Sequence, residues 1–144
     1  MQTKLDLAFR SRWTSVQSYV IEPQRIFIPA VSEVLLEAGL EIAEFASSVD
    51  FRSLLEARPK VVFADLDFAQ GSPAETIRML RTLLPDALLM IYTSDEDPDH
   101  HAAFGRTGAN GVFSKATPRH ELVAAIRRLV DTTSQRDRNY DHLG

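Results

Sequence analysis

The sequence predicts an α/β protein, a doubly wound parallel sheet of five strands flanked by five helices. Three observations carry this expectation. Between Val16 and Val130, short apolar runs alternate with longer segments of helical periodicity. The run ALLMIYT (87–93) is almost wholly apolar, as a parallel strand covered on both faces should be. Ser72 then Pro73, and Thr117 then Pro118, each read as an N-cap followed by a first helical residue.

Taken in order, SYVIE (18–22) is the first strand. Ile26, Phe27, Val31, Val34 and Leu35 then recur at helical spacing, and Gly39 closes that helix. LEIAEFA (40–46) alternates apolar and polar residues, as an edge or half-buried strand does. Leu54 and Leu55 sit in a helix that Pro59 must end. KVVFAD (60–65) is the third strand, and it stops on an acid, with Asp67 two positions further on. The helix launched at Pro73 runs through Leu84 and leads to the fourth strand, ALLMIYT. SDEDPDHH (94–101) reads as a loop, followed by a helix to about Thr107. GVFS (111–114) is a short fifth strand. The last helix carries Leu122, Val123, Ile126, Leu129 and Val130 on its apolar side.

These elements place one domain over residues 16–131. Residues 1–15 read as a leader, either disordered or docked on the sheet through Phe9 and Trp13. The polar stretch TTSQRDRNYDHLG (132–144) reads as a flexible tail or linker. A chain of 144 residues, 44% hydrophobic and 25% charged, suits one globular domain with a real core. The net charge of −4 argues against a polyanion-binding surface, so no direct nucleic-acid binding is expected. The absence of cysteine excludes disulfides and thiolate metal sites. MQTKLDLAFRSRW lacks the unbroken apolar core of a secretory signal, and no run approaches the roughly 18 apolar residues of a membrane helix. The expectation is a soluble cytoplasmic protein with no membrane partner.

In an open parallel sheet, ligands and chemistry gather beyond the carboxyl ends of the strands. The first strand ends at Glu22, the third at Asp65 and the fourth at Thr93, and Lys115 follows the fifth. The fold would bring these four to one rim. A carboxylate pair there repels itself and raises one pKa unless a cation lies beside it. Mg²⁺ and the Lys115 ammonium would both serve.

Over about residues 17–131 this constellation resembles the receiver domain of two-component response regulators. VVFADLDFAQ (61–70) matches the phosphoacceptor segment, with Asp65 at the phosphorylated aspartate. LLMIYTS (88–94) places Thr93 at the switch hydroxyl. TGANGVFSKATPRHELVAAIRRLV (107–130) keeps Gly108, Ala109, Lys115 and Pro118 in step with the family's last third. SYVIEPQRIFIPAVSEVLLEAG (18–39) puts Glu22 at the first member of an acidic pair.

The resemblance implies the flavodoxin-like receiver fold and a phosphoryl group accepted on Asp65 from a histidine kinase or phosphotransfer protein. Mg²⁺, held by Glu22, Asp65 and the backbone carbonyl of Asp67, would offset the charge of the phosphoryl oxygens. Lys115 would contact one of those oxygens, and Thr93 would swing toward the phosphate, shifting the neighbouring loop and helix. Such a chain is not a conventional enzyme, since at most it catalyses its own phosphotransfer and dephosphorylation. Its output would pass through partner or homodimer contacts on the face of the fourth and fifth helices. It would be either a regulator acting alone or the N-terminal part of a transcriptional response regulator.

The sequence also departs from the family pattern. Pro23 replaces the second acid of the Mg²⁺-binding pair, which marks the receiver as atypical. Val112 stands where an aromatic is common, with Phe113 expected in the core on the other side of the strand. Ala69 and Pro73 replace a usual Pro and Gly. Pro23 and Val112 favour an alternative, a phosphorylation-independent pseudo-receiver acting as a protein–protein interaction module. A small α/β enzyme binding a phosphorylated ligand at this rim would want a glycine-rich loop after the first strand, where EPQRIF stands. His100 and His101, among Asp95, Asp97 and Asp99, lack a regular ligand spacing and read as exposed loop residues. Arg127 and Arg128 fit the negative end of a helix dipole.

Overall fold

In a computed structural model that describes residues 16–143, with side chains as far as Thr133, five strands alternate with five α-helices. The strands are β1 (Gln17–Ile21), β2 (Glu41–Ala46), β3 (Val61–Asp65), β4 (Leu88–Thr93) and β5 (Gly111–Ser114). The helices are α1 (Ile28–Glu37), α2 (Phe51–Ala57), α3 (Pro73–Leu83), α4 (Pro98–Thr107) and α5 (Arg119–Leu143), and a 3₁₀ turn (Arg25–Phe27) leads into α1. All strand pairs are parallel, in the order β2-β1-β3-β4-β5. The leader at residues 1–15 lies outside the described residues.

Alternation along each central strand divides the core in two. Val20, Phe63 and Met90 face α1 and α5, where Leu35 and Ile126 pack against them. Tyr19, Val62, Leu89 and Ile91 face the other way, toward Leu54, Ile77, Leu80 and Phe104 of α2, α3 and α4. Because both faces are covered, every residue of β3 is buried, and burying each large aliphatic side chain stabilises the fold by roughly 1.5–3 kcal/mol. The alternating segment at 41–46 is the exposed edge strand β2.

Local signals start and stop the helices. Pro73 opens α3, and Ser72 takes the N-cap position with its carbonyl accepting the Thr76 N–H, although its hydroxyl caps nothing. In α2 the Asp50 carboxylate accepts the Ser53 N–H, and the helix ends on left-handed Arg58 just before Pro59. Gly39, with φ of 93°, closes α1 while the Leu40 N–H reaches back to the Leu35 carbonyl.

Most boundaries fall within one or two residues of the sequence expectation, and two differ by more. Helix α4 begins at Pro98, inside the stretch expected as loop, because Asp97 caps it by accepting the Asp99 N–H. Helix α5 continues to Leu143, so the segment expected as a tail is helical almost to its end. No Gly or Pro interrupts residues 119–143, and chain continuity carries the helix past its apolar stripe. No helix among the described residues is long and apolar enough to cross a membrane.

Candidate functional site

The strand order reverses between β1 and β3, and the rim beyond their carboxyl ends gathers all four residues singled out above. Asp65 closes β3 and is almost fully buried. The Lys115 N–H donates to the Thr93 carbonyl at 2.8 Å, which ties the residue after β5 to the end of β4. From there the Lys115 side chain crosses the rim, placing its Nζ 2.6 Å from Asp65 Oδ2 and 2.9 Å from Asp67 Oδ2. The ammonium also lies 5.8 Å from the ring centres of both Phe68 and Tyr92.

The turn after β3 turns a second carboxylate inward. Asp65 Oδ1 accepts the Asp67 N–H at 3.0 Å, an Asx turn that fixes the backbone two residues on. Asp67 Oδ1 then accepts the Thr93 hydroxyl at 2.7 Å, and Oδ2 accepts the Ser94 N–H and hydroxyl, each at 2.9 Å. Thr93 Oγ1 in turn accepts the Asp95 N–H at 3.1 Å. On the opposite side Glu22, also buried, accepts the Gln24 N–H across Pro23 at 2.9 Å.

Charge follows geometry. Burial is the largest influence on Glu22 and pushes its pKa up; the Asp65 carboxylate adds to this, while the Gln24 N–H and Lys115 oppose it. Burial would raise Asp67 as well, but the bonds from Thr93, Lys115 and Ser94 outweigh it and bring the pKa down to about 2. Burial pulls against the Lys115 ammonium too, yet Asp65 and Asp67 together hold its pKa above the ordinary value. The donors around Asp67 thus favour its anion and the two acids favour the Lys115 cation, whereas burial makes the Glu22 carboxyl harder to ionise than a free one.

A cleft of about 550 Å³ opens beside Asp65, between Pro23, Phe51, Phe68 and Met79. Among the described residues lining it, the charged ones are Asp65 and Glu75, both acids. Val112 packs partly buried beside the α3–α4 side of the sheet, and Phe113 packs against the opposite core, as strand alternation requires.

This fold and rim define a signalling receiver, and comparison with known proteins agrees. The chain matches the response regulator receiver domain over residues 19–127 and belongs to that family. Among solved structures it is similar to a response regulator receiver domain protein from Clostridium thermocellum, with a TM-score of 0.70, 21% identity, and 83% of this chain and 98% of that one covered. It is similar as well to the signal receiver domain of the response regulator NarL from Mycobacterium tuberculosis (TM-score 0.69, 18% identity, 83% of this chain and 96% of that one). A DNA-binding response regulator of the LuxR family from Staphylococcus aureus matches with a TM-score of 0.68 and 18% identity over 79% of this chain and 98% of that one. At such identities the likeness is one of fold, here the flavodoxin-like receiver fold. No curated protein matches the sequence.

Receiver domains generally bind Mg²⁺ in their acidic pocket and interact with histidine kinases or phosphotransfer proteins. Of the ligands expected from the sequence, Glu22, Asp65 and the Asp67 backbone carbonyl, both carboxylates already have protein partners, Glu22 the Gln24 N–H and Asp65 the Lys115 ammonium and Asp67 N–H. Mg²⁺ demands near-octahedral oxygen ligation, usually with one or two free carboxylates. Here position 23 is proline, the Asp67 carboxylate is engaged by Thr93, Ser94 and Lys115, and Asp65 is shared between Lys115 and the Asp67 N–H. Among the described residues no group of three His, Cys, Asp or Glu side chains is placed to hold a metal.

The sequence reading assigned only the backbone carbonyl of Asp67 a role and passed over Ser94. The available signal was the spacing itself. Two acids at i and i+2 after a buried strand leave the second free to fold back onto the rim.

Proposed function

We propose that this receiver works without phosphorylation, as a protein–protein interaction module, and that the state of its rim is transmitted through the face formed by α4, β5 and α5. The observation that carries the reading is the condition of Asp65. Its side chain is 1% exposed, with one oxygen on Lys115 and the other on the Asp67 N–H. In-line attack on a phosphoryl group needs a carboxylate oxygen free to face the incoming phosphorus. The acidic lining of the neighbouring cleft, where Glu75 joins Asp65, and the proline at position 23 add to the support. The α4–β5–α5 face carries a shallow depression of about 580 Å³ whose lining includes Val112, Phe113, Ala124 and Ala125, a surface suited to a second copy of the chain.

The Asp65–Lys115 contact of 2.6 Å favours a second reading, acceptance of a phosphoryl group from a histidine kinase. In that case the phosphorus–nitrogen bond of a phosphohistidine breaks as a phosphorus–oxygen bond to Asp65 forms. Lys115 would then hold one of the transferred oxygens. Incubation with phosphoramidate and Mg²⁺, followed by intact mass beside an Asp65→Ala control, separates the two. The proposed function requires no mass gain in either protein. A phosphoryl group gained by the wild type and not by the control overturns it.

A further inference from the structure

We propose that the Asp67 carboxylate is a resident anion that holds the start of the β4–α4 loop, doing from within the chain what a bound oxyanion would do from outside. The proposal rests on the phosphorylation-independent reading above and gives it a physical cause. Four donors from two separate segments converge on this one carboxylate: the Thr93 hydroxyl, the Ser94 N–H, the Ser94 hydroxyl and the Lys115 ammonium. Their distances run from 2.7 to 2.9 Å. A carboxylate offers about four acceptor sites, so this set saturates it. A hydroxyl, a backbone N–H and an ammonium aimed at one point form the donor pattern that receives a phosphate or carboxylate oxygen. Asp67 already fills that point.

The hold extends beyond the contact itself. Thr93, its hydroxyl drawn to Asp67, accepts the Asp95 N–H. Asp95 Oδ1 accepts the Asp97 N–H, and Asp97 caps α4 by accepting the Asp99 N–H. An unbroken series of hydrogen bonds thus runs from the carboxylate after β3 to the first turn of α4. An anion can favour one arrangement of a loop only through contacts made in that arrangement, and here those contacts are present with no ligand required. Asp67 is a positioning residue acting through Thr93 and Ser94.

The test is residue-resolved hydrogen exchange on the full chain, comparing wild type with Asp67→Asn, Asp67→Ala and Thr93→Val. Asp67→Asn keeps the shape and loses the charge. It should speed exchange at Ser94 to Asp97 about ten-fold or more while the amides of Val62 to Ala64 keep their protection. Formate added to Asp67→Ala should restore slow exchange at Ser94, a response that a purely space-filling role would not give. Thr93→Val removes one donor and leaves the carboxylate in place, so it carries the test if the Asp67 variants fail to fold, and it should speed exchange over the same four residues. Exchange that is unchanged, that rises equally across the whole sheet, or that formate leaves fast overturns the proposal. If the wild type takes up a phosphoryl group while the loop still loosens in Asp67→Asn, the phosphorylation-independent reading falls and this proposal stands. No uptake with an unmoved loop gives the reverse.

Discussion

Asp67 and Glu22 are both carboxylates at the same rim, yet their surroundings push their pKa values apart. Asp67 collects hydrogen-bond donors that exceed the cost of its burial, whereas Glu22 is buried beside Asp65 with the Gln24 N–H as its compensating donor. The consequence for stability has a definite sign. The folded-state pKa of Asp67, about 2, lies below its ordinary 3.8. Its contribution is therefore complete above pH 3.8 and is lost as pH falls through about 2. With the side chain only 16% exposed, the difference corresponds to about 2 kcal/mol. Urea unfolding followed across that acid range should show the loss in wild type, and Asp67→Asn should flatten the same limb. An identical acid limb in the two proteins would mean that the donors around Asp67 do not favour its charged form.

At the scale of elements, Arg81 ties α3 to α4 at the end of the sheet away from the rim. The guanidinium donates to the carbonyls of Leu84, Pro85, Ala87 and Gly108 and to Asn110 Oδ1, so the C-terminal ends of α3 and α4 share one cation. Gly108 is required at this contact. Its φ is 135°, and a Cβ there would sit 2.8 Å from the Arg81 Cβ. Five donors in a planar fork cannot be replaced by a lysine ammonium, which reaches one or two of these carbonyls at a time. Arg81→Lys should therefore cost about 2 kcal/mol, read as a lower urea midpoint with an unchanged slope. An unchanged midpoint would show that water replaces the lost bonds at no cost. Helix α4 is thus pinned at its C-terminal end by Arg81 and at its N-terminal end by the bonds running from Asp67. The Arg81 cluster had no signature in the sequence, because a late-helix arginine is ordinary and its partners lie up to 29 positions away.

For the molecule as a whole, the proposed function makes the α4–β5–α5 face an interface between two copies. Ala124 is exposed there, and an arginine in its place would set two positive charges against each other across a two-fold axis. Sedimentation should show a dimer for wild type and a monomer for Ala124→Arg with unchanged thermal stability. A wild-type monomer at every concentration would remove the homodimer from the reading and leave a different partner for this face.

The strand and helix order could be read from the chain because apolar period, Ser and Thr at cap positions, and prolines at helix starts are local properties, felt within a few residues. The same locality placed Glu22, Asp65, Thr93 and Lys115 at strand ends, and the parallel sheet then carried them to one rim. Tertiary structure alone decided which of them touch and what else joins. Lys115 meets Asp65 across 50 positions of chain, and Thr93 meets Asp67 across 26. Composition cannot say whether the second acid of a turn faces water or a strand 26 residues away; only the register of β3 beside β4 settles that.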